Sequence, residues 1–290
     1  MYSENVMEVV NDIRVVDMTD AEYPAQLKEI SDPPQKLYVR GNLDWRGDEM
    51  VAMVGSRKPT PYGIQVATVL AEKLANRCVI VSGLAYGVDS LAHQAVVNQK
   101  GVTVAVLGSG IDDESIYPPT NRELAKVILQ NGGALISEYP AGTPPLKQHF
   151  PQRNRIIAGL SHKIVVVEAA EGSGALITAR LGLDYNREVL AVPGQITNPN
   201  AFGPNQLIAE GAKPVLGPND VVEAPMVAVA NDLTELEQII YDTLTSGAKT
   251  IDEIAQLTEL TTSEINVIVT FLEMRGVIIN AGMGKFGVRG

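Results

Sequence analysis

The sequence predicts an α/β protein in which a mostly parallel sheet, covered by helices on both faces, precedes a small C-terminal domain. Between residues 49 and 215, short apolar segments of strand length alternate with segments of helix length. The strand segments are largely apolar on both faces, which is typical of parallel strands covered by helices. After residue 231 the alternation stops, and three short helices and a hairpin are predicted instead.

Six strand–helix units follow one another in the first part of the chain. The predicted strands are "EMVAMVG", "CVIVSG", "VTVAVLGSG", "ALISEYP", "KIVVVEAA" and "EVLAVPG". The helices that follow them are "YGIQVATVLAEKLANR", "SLAHQAVVNQ", "NRELAKVILQNG", "NRIIAGLS", "ALITARLGLDYN" and "NQLIAEGA", and a short "PVL" closes the series. Because crossovers between parallel strands are right-handed, this order predicts a Rossmann-like, doubly wound domain over residues 46–223.

Two segments lie outside this pattern. Residues 1–45 have little apolar periodicity, and we interpret them as an N-terminal extension with one short strand, "KLYVRG" (36–41). Residues 224–231, "APMVAVAN", are predicted to be a linker.

The C-terminal segment, residues 232–290, has the pattern of a winged helix-turn-helix domain. The first helix is predicted in "LTELEQIIYDTLTSG". Two further helix starts are marked by capping-box spacing, at Thr250 with Glu253 and at Thr261 with Glu264. The final "VIINAGMGKFGVRG" is typical of a hairpin with a glycine turn.

Composition excludes several classes of function. The single cysteine, Cys78, cannot form an internal disulfide or a multi-cysteine metal site, and only three histidines are present. We therefore expect no metal site. We also expect no cofactor. The N-terminus lacks the basic and apolar regions of a signal peptide, and no apolar run approaches the roughly 20 residues of a membrane helix. We expect a cytoplasmic protein without membrane contact.

The protein is acidic, with a formal net charge of -11, but the charge is unevenly distributed. Residues 1–45 and 231–290 each contain nine acidic and four basic residues, so the segment between them is almost neutral. Within that segment four basic residues occur without an intervening acid: Lys147, Arg153, Arg155 and Lys163. A local basic pocket on an acidic protein is therefore feasible.

Polar, glycine-rich loops follow several of the predicted strands. In an open α/β sheet such loops share one edge, where ligands bind. The loops and the residues that we single out are "GSRKPTPYG" with Ser56, Arg57 and Lys58, "SGLAYGVD" with Ser82 and Gly83, "GSGID", and "EGSG" with Ser173 and Gly174, ahead of Thr178. No loop is a strict dinucleotide fingerprint or a P-loop. Together they predict a groove for a nucleotide or a polyanion.

The segment "FPQRNR" (150–155) is predicted to lie in the loop after the fourth strand, at the same edge. Arg153, Asn154 and Arg155 form an anion-binding constellation, although a solvated helix start with a capping Asn154 would give the same pattern. An aromatic residue beside arginines suits single-stranded nucleic acid, and Phe150 is the candidate for base stacking. Phe150 as a core residue is the alternative.

Taken together, "GSRKPTPYG", "SGLAYGVDSLAH", "ISEYPAGTPPLKQHFPQRNRIIAGLS", "VVVEAAEGSGALITA" and "AVPGQI" with "GPNQLIAEGA" resemble the DNA-processing protein A family, also called Smf. The resemblance extends from about Tyr23 to Asp220. It implies a homodimeric, non-catalytic protein that binds and protects incoming single-stranded DNA and loads RecA recombinase in natural transformation and recombination. Many members have a small helical domain before the Rossmann-like one, for which residues 1–45 are too short.

The resemblance also implies roles for individual residues. Arg57 would be the main phosphate contact, Lys147 would lie at the rim of the pocket, and Phe150 would stack on a base. Arg153, Asn154 and Arg155 would line the same pocket. Hydroxyl and backbone donors would come from Ser56, Ser82, Gly83, Ser173, Gly174 and Thr178.

Two other hypotheses remain open on the sequence. The first is a nucleotide phosphoribohydrolase of the lysine-decarboxylase-like type, which would need a carboxylate at the sugar. Glu168, Glu171 and, more distantly, Glu138 are the candidates, but the "PGGxGT" pattern of those enzymes is absent. The second is a ligand-responsive regulator in which a nucleotide sensor is joined to a winged helix.

The predicted recognition helix argues against duplex reading. Its polar residues are Ser263, Glu264, Asn266, Thr270 and Glu273, and only Arg275, at its end, is basic. We therefore predict a protein-contact or regulatory module, in which Lys285 and Arg289 on the wing allow a weak DNA contact.

Overall fold

The computed structural model describes residues 12–223, 233–274, 277–282 and 284–288. The predicted linker at 224–231, Arg275 and Arg289 lie outside the described residues. The chain divides into two compact units, 1–223 and 224–290, which are described separately.

The first unit contains nine strands and eight α-helices within residues 12–223. The strands are β1 (Arg14–Asp17), β2 (Lys36–Gly41), β3 (Met50–Val54), β4 (Val79–Ser82), β5 (Thr103–Leu107), β6 (Ala134–Ser137), β7 (Lys163–Val166), β8 (Glu188–Ala191) and β9 (Lys213–Pro214). The helices are α1 (Ala25–Lys28), α2 (Pro61–Leu74), α3 (Val88–Asn98), α4 (Arg122–Gln130), α5 (His149–Leu160), α6 (Gly174–Asp184), α7 (Phe202–Ala209) and α8 (Pro218–Val221).

The sheet has the mostly parallel, doubly wound topology that the sequence predicts. Its strand order is β1-β2-β6-β5-β4-β3-β7-β8-β9, and every pair from β6 to β9 is parallel. The chain adds β4, β5 and β6 on one side of β3, and β7, β8 and β9 on the other. The direction of winding therefore reverses between β3 and β7, where a crevice forms at the carboxyl ends of the strands.

The continuous apolar character of the central strands follows from burial on both faces. In β3, Met50 and Ala52 belong to a core with α1, α5 and α6, whereas Val51 and Met53 belong to a core with α2 and α3. The same alternation continues in β4, β5 and β7. Since successive side chains of a strand point to opposite faces, two apolar cores require an apolar residue at every position.

Residues 12–45, interpreted from the sequence as an extension before the Rossmann-like domain, form part of its sheet. Strand β2 matches the predicted "KLYVRG", but it pairs antiparallel with β6, with Tyr38 opposite Ser137, and with β1 on its other side. Leu37 and Leu27 are fully buried in the same core as the central strands. The segment extends one edge of the sheet because this burial and the ladder hydrogen bonds bind it to β6.

The second unit has the architecture of a winged helix. Its elements are α9 (Glu235–Thr245), β10 (Lys249–Thr250), α10 (Ile251–Leu257), α11 (Thr262–Met274), β11 (Ile278–Gly282) and β12 (Lys285–Val288), and the strand order is β10-β12-β11. Both predicted capping boxes form, and a third, Thr234 with Glu237, begins α9. Within the described part of the chain, no helix is long and apolar enough to cross a membrane.

Candidate nucleic-acid interface

A cavity of about 770 Å³ lies at the carboxyl ends of β3 and β7, where the winding of the sheet reverses. Its walls come from the loops after β3, β4, β5, β6 and β7 and from residues of α3, α5 and α6. This cavity, here called the edge pocket, brings together nine of the predicted site residues: Ser56, Arg57, Lys147, Phe150, Arg153, Asn154, Ser173, Gly174 and Thr178.

Arg57 and Lys147 supply exposed positive charge to the edge pocket. The Cζ atom of Arg57 lies 5.5 Å from the ring centroid of Phe150, within the range of a cation–π contact. Among the described residues, no acidic side chain forms an ion pair with Arg57 or Lys147. Their charges are therefore available to an anion such as a phosphate group.

Arg153 forms part of the buried floor of the edge pocket rather than its rim. Its side chain is 4% exposed and donates hydrogen bonds from Nη1 to the carbonyl oxygens of Gly83, at 2.6 Å, and Val106. Burial lowers the pKa of Arg153 to about 10, with Asp89 opposing this effect, so the guanidinium stays protonated at neutral pH. Arg153 connects α5 to the ends of β4 and β5.

Asp89 is a pocket residue that the sequence did not indicate. It lines the edge pocket, and its Oδ2 atom accepts a hydrogen bond from the backbone N–H of Gly83 at 3.0 Å. Burial raises the pKa of Asp89, whereas the positive charge of Arg153 lowers it. A Cβ atom at Gly83 would overlap the Arg153 guanidinium, so this glycine permits the close approach of the arginine.

The opposite wall of the edge pocket is the first turn of α6. Ser173 caps this helix by accepting a hydrogen bond from the N–H of Ala175 at 3.3 Å, and Gly174 begins it. The Nδ2 atom of Asn154 donates to the carbonyl of Gly174 at 3.2 Å, which ties α5 to α6. A helix start presents backbone N–H groups and positive dipole charge, both of which favour an anion.

The segment "FPQRNR" does not form the predicted loop, because α5 already begins at His149. Residues two positions apart on an α-helix point about 200° apart, so Arg153 and Arg155 cannot share one pocket. Arg155 instead donates to both carboxylate oxygens of Glu138, at 2.6 and 2.7 Å, and pairs with Asp32. The expectation that Arg155 lines the pocket is wrong.

Three further predicted residues do not line the edge pocket. Ser82 is completely buried, and its hydroxyl donates to the carbonyl of Met53 at 2.7 Å. Lys58 is exposed outside the pocket, where its backbone N–H donates to Ser56 Oγ at 3.1 Å. Gly83 borders a small neighbouring crevice. These positions correct the expectation that all the polar residues of the strand-end loops converge on one groove.

The carboxylates required by the hydrolase hypothesis have other partners. Glu168 is 2% exposed and accepts hydrogen bonds from the N–H and the hydroxyl of Thr60, at 2.8 and 2.6 Å, and from Asn198. Glu138 pairs with Arg155. Glu171 lines the edge pocket and is exposed to solvent. Glu168 and Glu138 therefore have structural roles. Of the three candidate carboxylates, only Glu171 lines the pocket.

Residues 14–225 match the sequence profile of the family described as DNA recombination-mediator protein A. The chain belongs to this family. Residues 224–281 match the profile of the DprA winged helix domain, which agrees with the architecture of the second unit.

Two relatives in this family are identical to the chain at more than two fifths of the aligned residues. The chain is 46% identical to protein Smf of Escherichia coli over 202 residues, which are 69% of this chain and 54% of that protein. It therefore spans about half the length of that relative. With DNA processing protein DprA of Bacillus subtilis it shares 42% identity over 213 residues, covering 73% of this chain and 71% of the relative.

Two solved structures of the family have the same fold. The X-ray structure of DNA processing protein A from Streptococcus pneumoniae has a TM-score of 0.69 and 40% identity, and the match covers 74% of this chain and 75% of that one. The protein from Helicobacter pylori, described for its single-stranded DNA binding mode, has a TM-score of 0.65 and 30% identity, covering 77% and 99%.

Proposed function

We propose that this protein binds single-stranded DNA in the edge pocket, protects incoming DNA and loads RecA recombinase on it during natural transformation and recombination. The observation that carries the binding proposal is the pair of exposed cations, Arg57 and Lys147, beside Phe150 and opposite the first turn of α6. Phosphates suit the cations and the helix start, and a base suits the aromatic ring. The single-stranded DNA binding described for the Helicobacter pylori relative supports the same function.

A preference for single strands follows from the chemistry of this site. A duplex keeps its bases paired within the stack, so the Phe150 ring would have no base face to contact. The net charge of -11 also repels nucleic acid from the parts of the surface outside the pocket. Binding should therefore be local, sensitive to salt and weaker for duplex DNA.

The contacts of the candidate carboxylates support binding without catalysis. A phosphoribohydrolase needs a carboxylate free to act at the sugar, but Glu168 and Glu138 are committed to Thr60 and Arg155. Incubation of the protein with nucleoside monophosphates should accordingly release no free base. Release of base that depended on Glu171 would favour the hydrolase instead.

We propose two partners in the cytoplasm, RecA recombinase and a second copy of this chain. Both proposals are based on membership in the family. The second unit suits a protein partner better than duplex DNA. On α11, Val267 and Phe271 are 57% and 54% exposed, and Glu264 lies on the same stripe of the helix. None of the described residues of α11 is basic, so this helix offers no charge complementary to a phosphate backbone.

The experiment that tests the binding proposal is a fluorescence-anisotropy titration of labelled oligothymidine of about 35 nucleotides, at two salt concentrations and with a duplex competitor. Arg57→Ala and Lys147→Ala should each weaken binding and reduce the salt slope by roughly 0.7. Lys58→Ala is the matched control, since Lys58 is exposed and next to Arg57 but outside the pocket. If all three variants bound oligothymidine as tightly as the wild type, the pocket would not be the DNA site.

A further inference from the structure

We propose that Tyr117 and Tyr86 form a second base-stacking surface beside Phe150, on which unpaired nucleobases of the bound strand lie. This surface, here called the tyrosine shelf, extends the edge pocket beyond Arg57, and the proposal rests on the single-strand binding argued above. Tyr117 lines the edge pocket, and the crevice next to it is bordered by Tyr86, Tyr117, Phe150 and Arg57.

The two tyrosines are both exposed to solvent. Tyr86, in the loop after β4, is 44% exposed, and Tyr117, in the loop after β5, is 40% exposed. The ring centroids of Tyr117 and Phe150 are 5.9 Å apart with an interplanar angle of 52°, a tilted aromatic contact. Neither tyrosine belongs to a hydrophobic core of the described residues, so their ring faces remain available.

The crevice between these rings is too small to hold a ligand. Its volume of about 10 Å³ is enough for no more than one water molecule. A base can therefore bind only by lying on the exposed ring faces, as in the stacking platforms of single-strand binding proteins. Such platforms tolerate all four bases because every base has a π-face.

The order of the strands places the shelf at one end of a continuous path. The α6 wall follows β7, Arg57 follows β3, Tyr86 follows β4 and Tyr117 follows β5. These four strands are consecutive neighbours in the sheet, so the path along their carboxyl ends is roughly 14 Å long. A strand with a phosphate at α6 and another at Arg57 would bring its next bases over the tyrosines.

The shelf also provides selection against paired DNA. Stacking on Tyr117 or Tyr86 requires a base that has left its neighbours, which costs little in a single strand and a few kcal/mol for each step in a duplex. Arg57, located between the shelf and the α6 wall, would hold the backbone while the bases turn toward the rings. Phosphates would thus bind at the α6 wall and at Arg57, and bases would bind at the tyrosine shelf.

The test uses the full chain and compares oligothymidine with an oligomer of the same length and charge in which abasic sites replace the bases. Tyr117→Leu and Tyr86→Leu keep an apolar side chain but remove the π-face, and each should weaken oligothymidine binding by roughly 5- to 150-fold. Tyr117→Phe and Tyr86→Phe should bind like wild type. Val69→Ala, which truncates an equally exposed residue on α2 outside the pocket, is the control for general effects.

The abasic strand distinguishes stacking from a structural effect. Wild type should bind it more weakly than oligothymidine, and the Leu variants should show a smaller difference between the two strands, because only Phe150 still offers a ring face. Unchanged oligothymidine binding by the Leu variants, together with weaker binding by Arg57→Ala, would overturn the shelf and leave the proposed function intact. Failure of the wild-type protein to bind any single strand would overturn both proposals. Thermal unfolding of each variant tests whether the fold is retained.

Discussion

The guanidinium of Arg57 lies over the ring of Phe150, with its Cζ atom 5.5 Å from the ring centroid. The contact joins the loop after β3 to the first turn of α5, and it holds the arginine side chain at the wall of the edge pocket. A cation–π contact at an exposed site contributes about 0.5–1 kcal/mol. The ring therefore orients the cation and also offers a surface for a base.

The first prediction concerns these two roles of Phe150. Phe150→Leu should weaken single-strand binding by about 1–3 kcal/mol, because it removes both a stacking face and the support of Arg57. Phe150→Tyr keeps the ring and should retain most of the affinity. The measurement is the anisotropy titration at constant salt. A Leu variant with wild-type affinity would assign Phe150 to packing alone.

The second prediction contrasts the effects of Arg153 and Arg57 on the free energy of unfolding. Removal of Arg153 leaves the carbonyls of Gly83 and Val106 unpaired and the buried Asp89 without its nearby positive charge. Arg153→Met should therefore lower the free energy of unfolding by about 3–5 kcal/mol. Arg57→Ala, which truncates an exposed side chain and removes its contact with Phe150, should change it by no more than about 1 kcal/mol.

Urea denaturation checks this contrast. The double variant Arg153→Met with Asp89→Asn should recover part of the loss, because the amide oxygen still accepts from the N–H of Gly83 but carries no charge. If Arg153→Met proved as stable as wild type, the buried guanidinium would not be a structural element. The loss of DNA binding in an Arg153 variant is not specific evidence for a DNA contact unless stability is measured as well.

The fold could be predicted closely where burial imposes a sequence pattern. The central strands β3, β4, β5 and β7 have apolar residues facing two cores, so their location was visible in the sequence. Strand β2 was also visible, but its place in the sheet was not. That place depends on antiparallel pairing with β6, about a hundred residues away, which leaves no local signal.

The site could be predicted only to the level of its loops. The rule that ligands bind at the carboxyl ends of parallel strands placed Arg57, Ser173 and Gly174 together, and the edge pocket contains all three. It could not assign Arg153 and Arg155, because their directions depend on whether residues 150–155 are helical. Pro151 in the first turn was a usable signal, since proline is tolerated there in a helix.

The third prediction is a loss of stability in acid caused by His93. This side chain is completely buried, and its Nδ1 atom lies 2.7 Å from the hydroxyl of Thr103, which itself donates to the carbonyl of Ile80. Nδ1 must therefore carry the proton, and Nε2 is buried without a hydrogen-bond partner among the described residues. Burial, with a smaller effect of Arg153, lowers the pKa of His93 to about 3.

The sign of the effect follows from the two states. Between about pH 6.5 and pH 3 the unfolded chain binds a proton at His93 and the folded protein does not, so stability falls as the pH falls. This residue contributes a slope of at most about 1.4 kcal/mol per pH unit. Urea denaturation at pH 7 and pH 5 should show a smaller difference for His93→Gln than for wild type. Equal differences for the two proteins would exclude His93 as the source.

The last prediction concerns association of two copies. Ile196, in the segment between β8 and α7, is 94% exposed, and Phe202 at the start of α7 is 47% exposed. Ile196 lines a cavity of about 420 Å³ together with Phe202 and Asn205. In a two-fold dimer one surface meets itself, so the Ile196 side chain of each copy could enter the cavity of the other.

Ile196→Glu would place a charge at the centre of that contact and should convert a dimer to a monomer, as measured by light scattering after size-exclusion chromatography. Ile177→Glu, at the edge pocket, changes an exposed isoleucine elsewhere and should leave the mass unchanged. Unfolding curves should be similar for both variants, since neither side chain is buried. A dimer that survives Ile196→Glu must associate through another surface, and a wild-type monomer would remove the basis for proposing a homodimer.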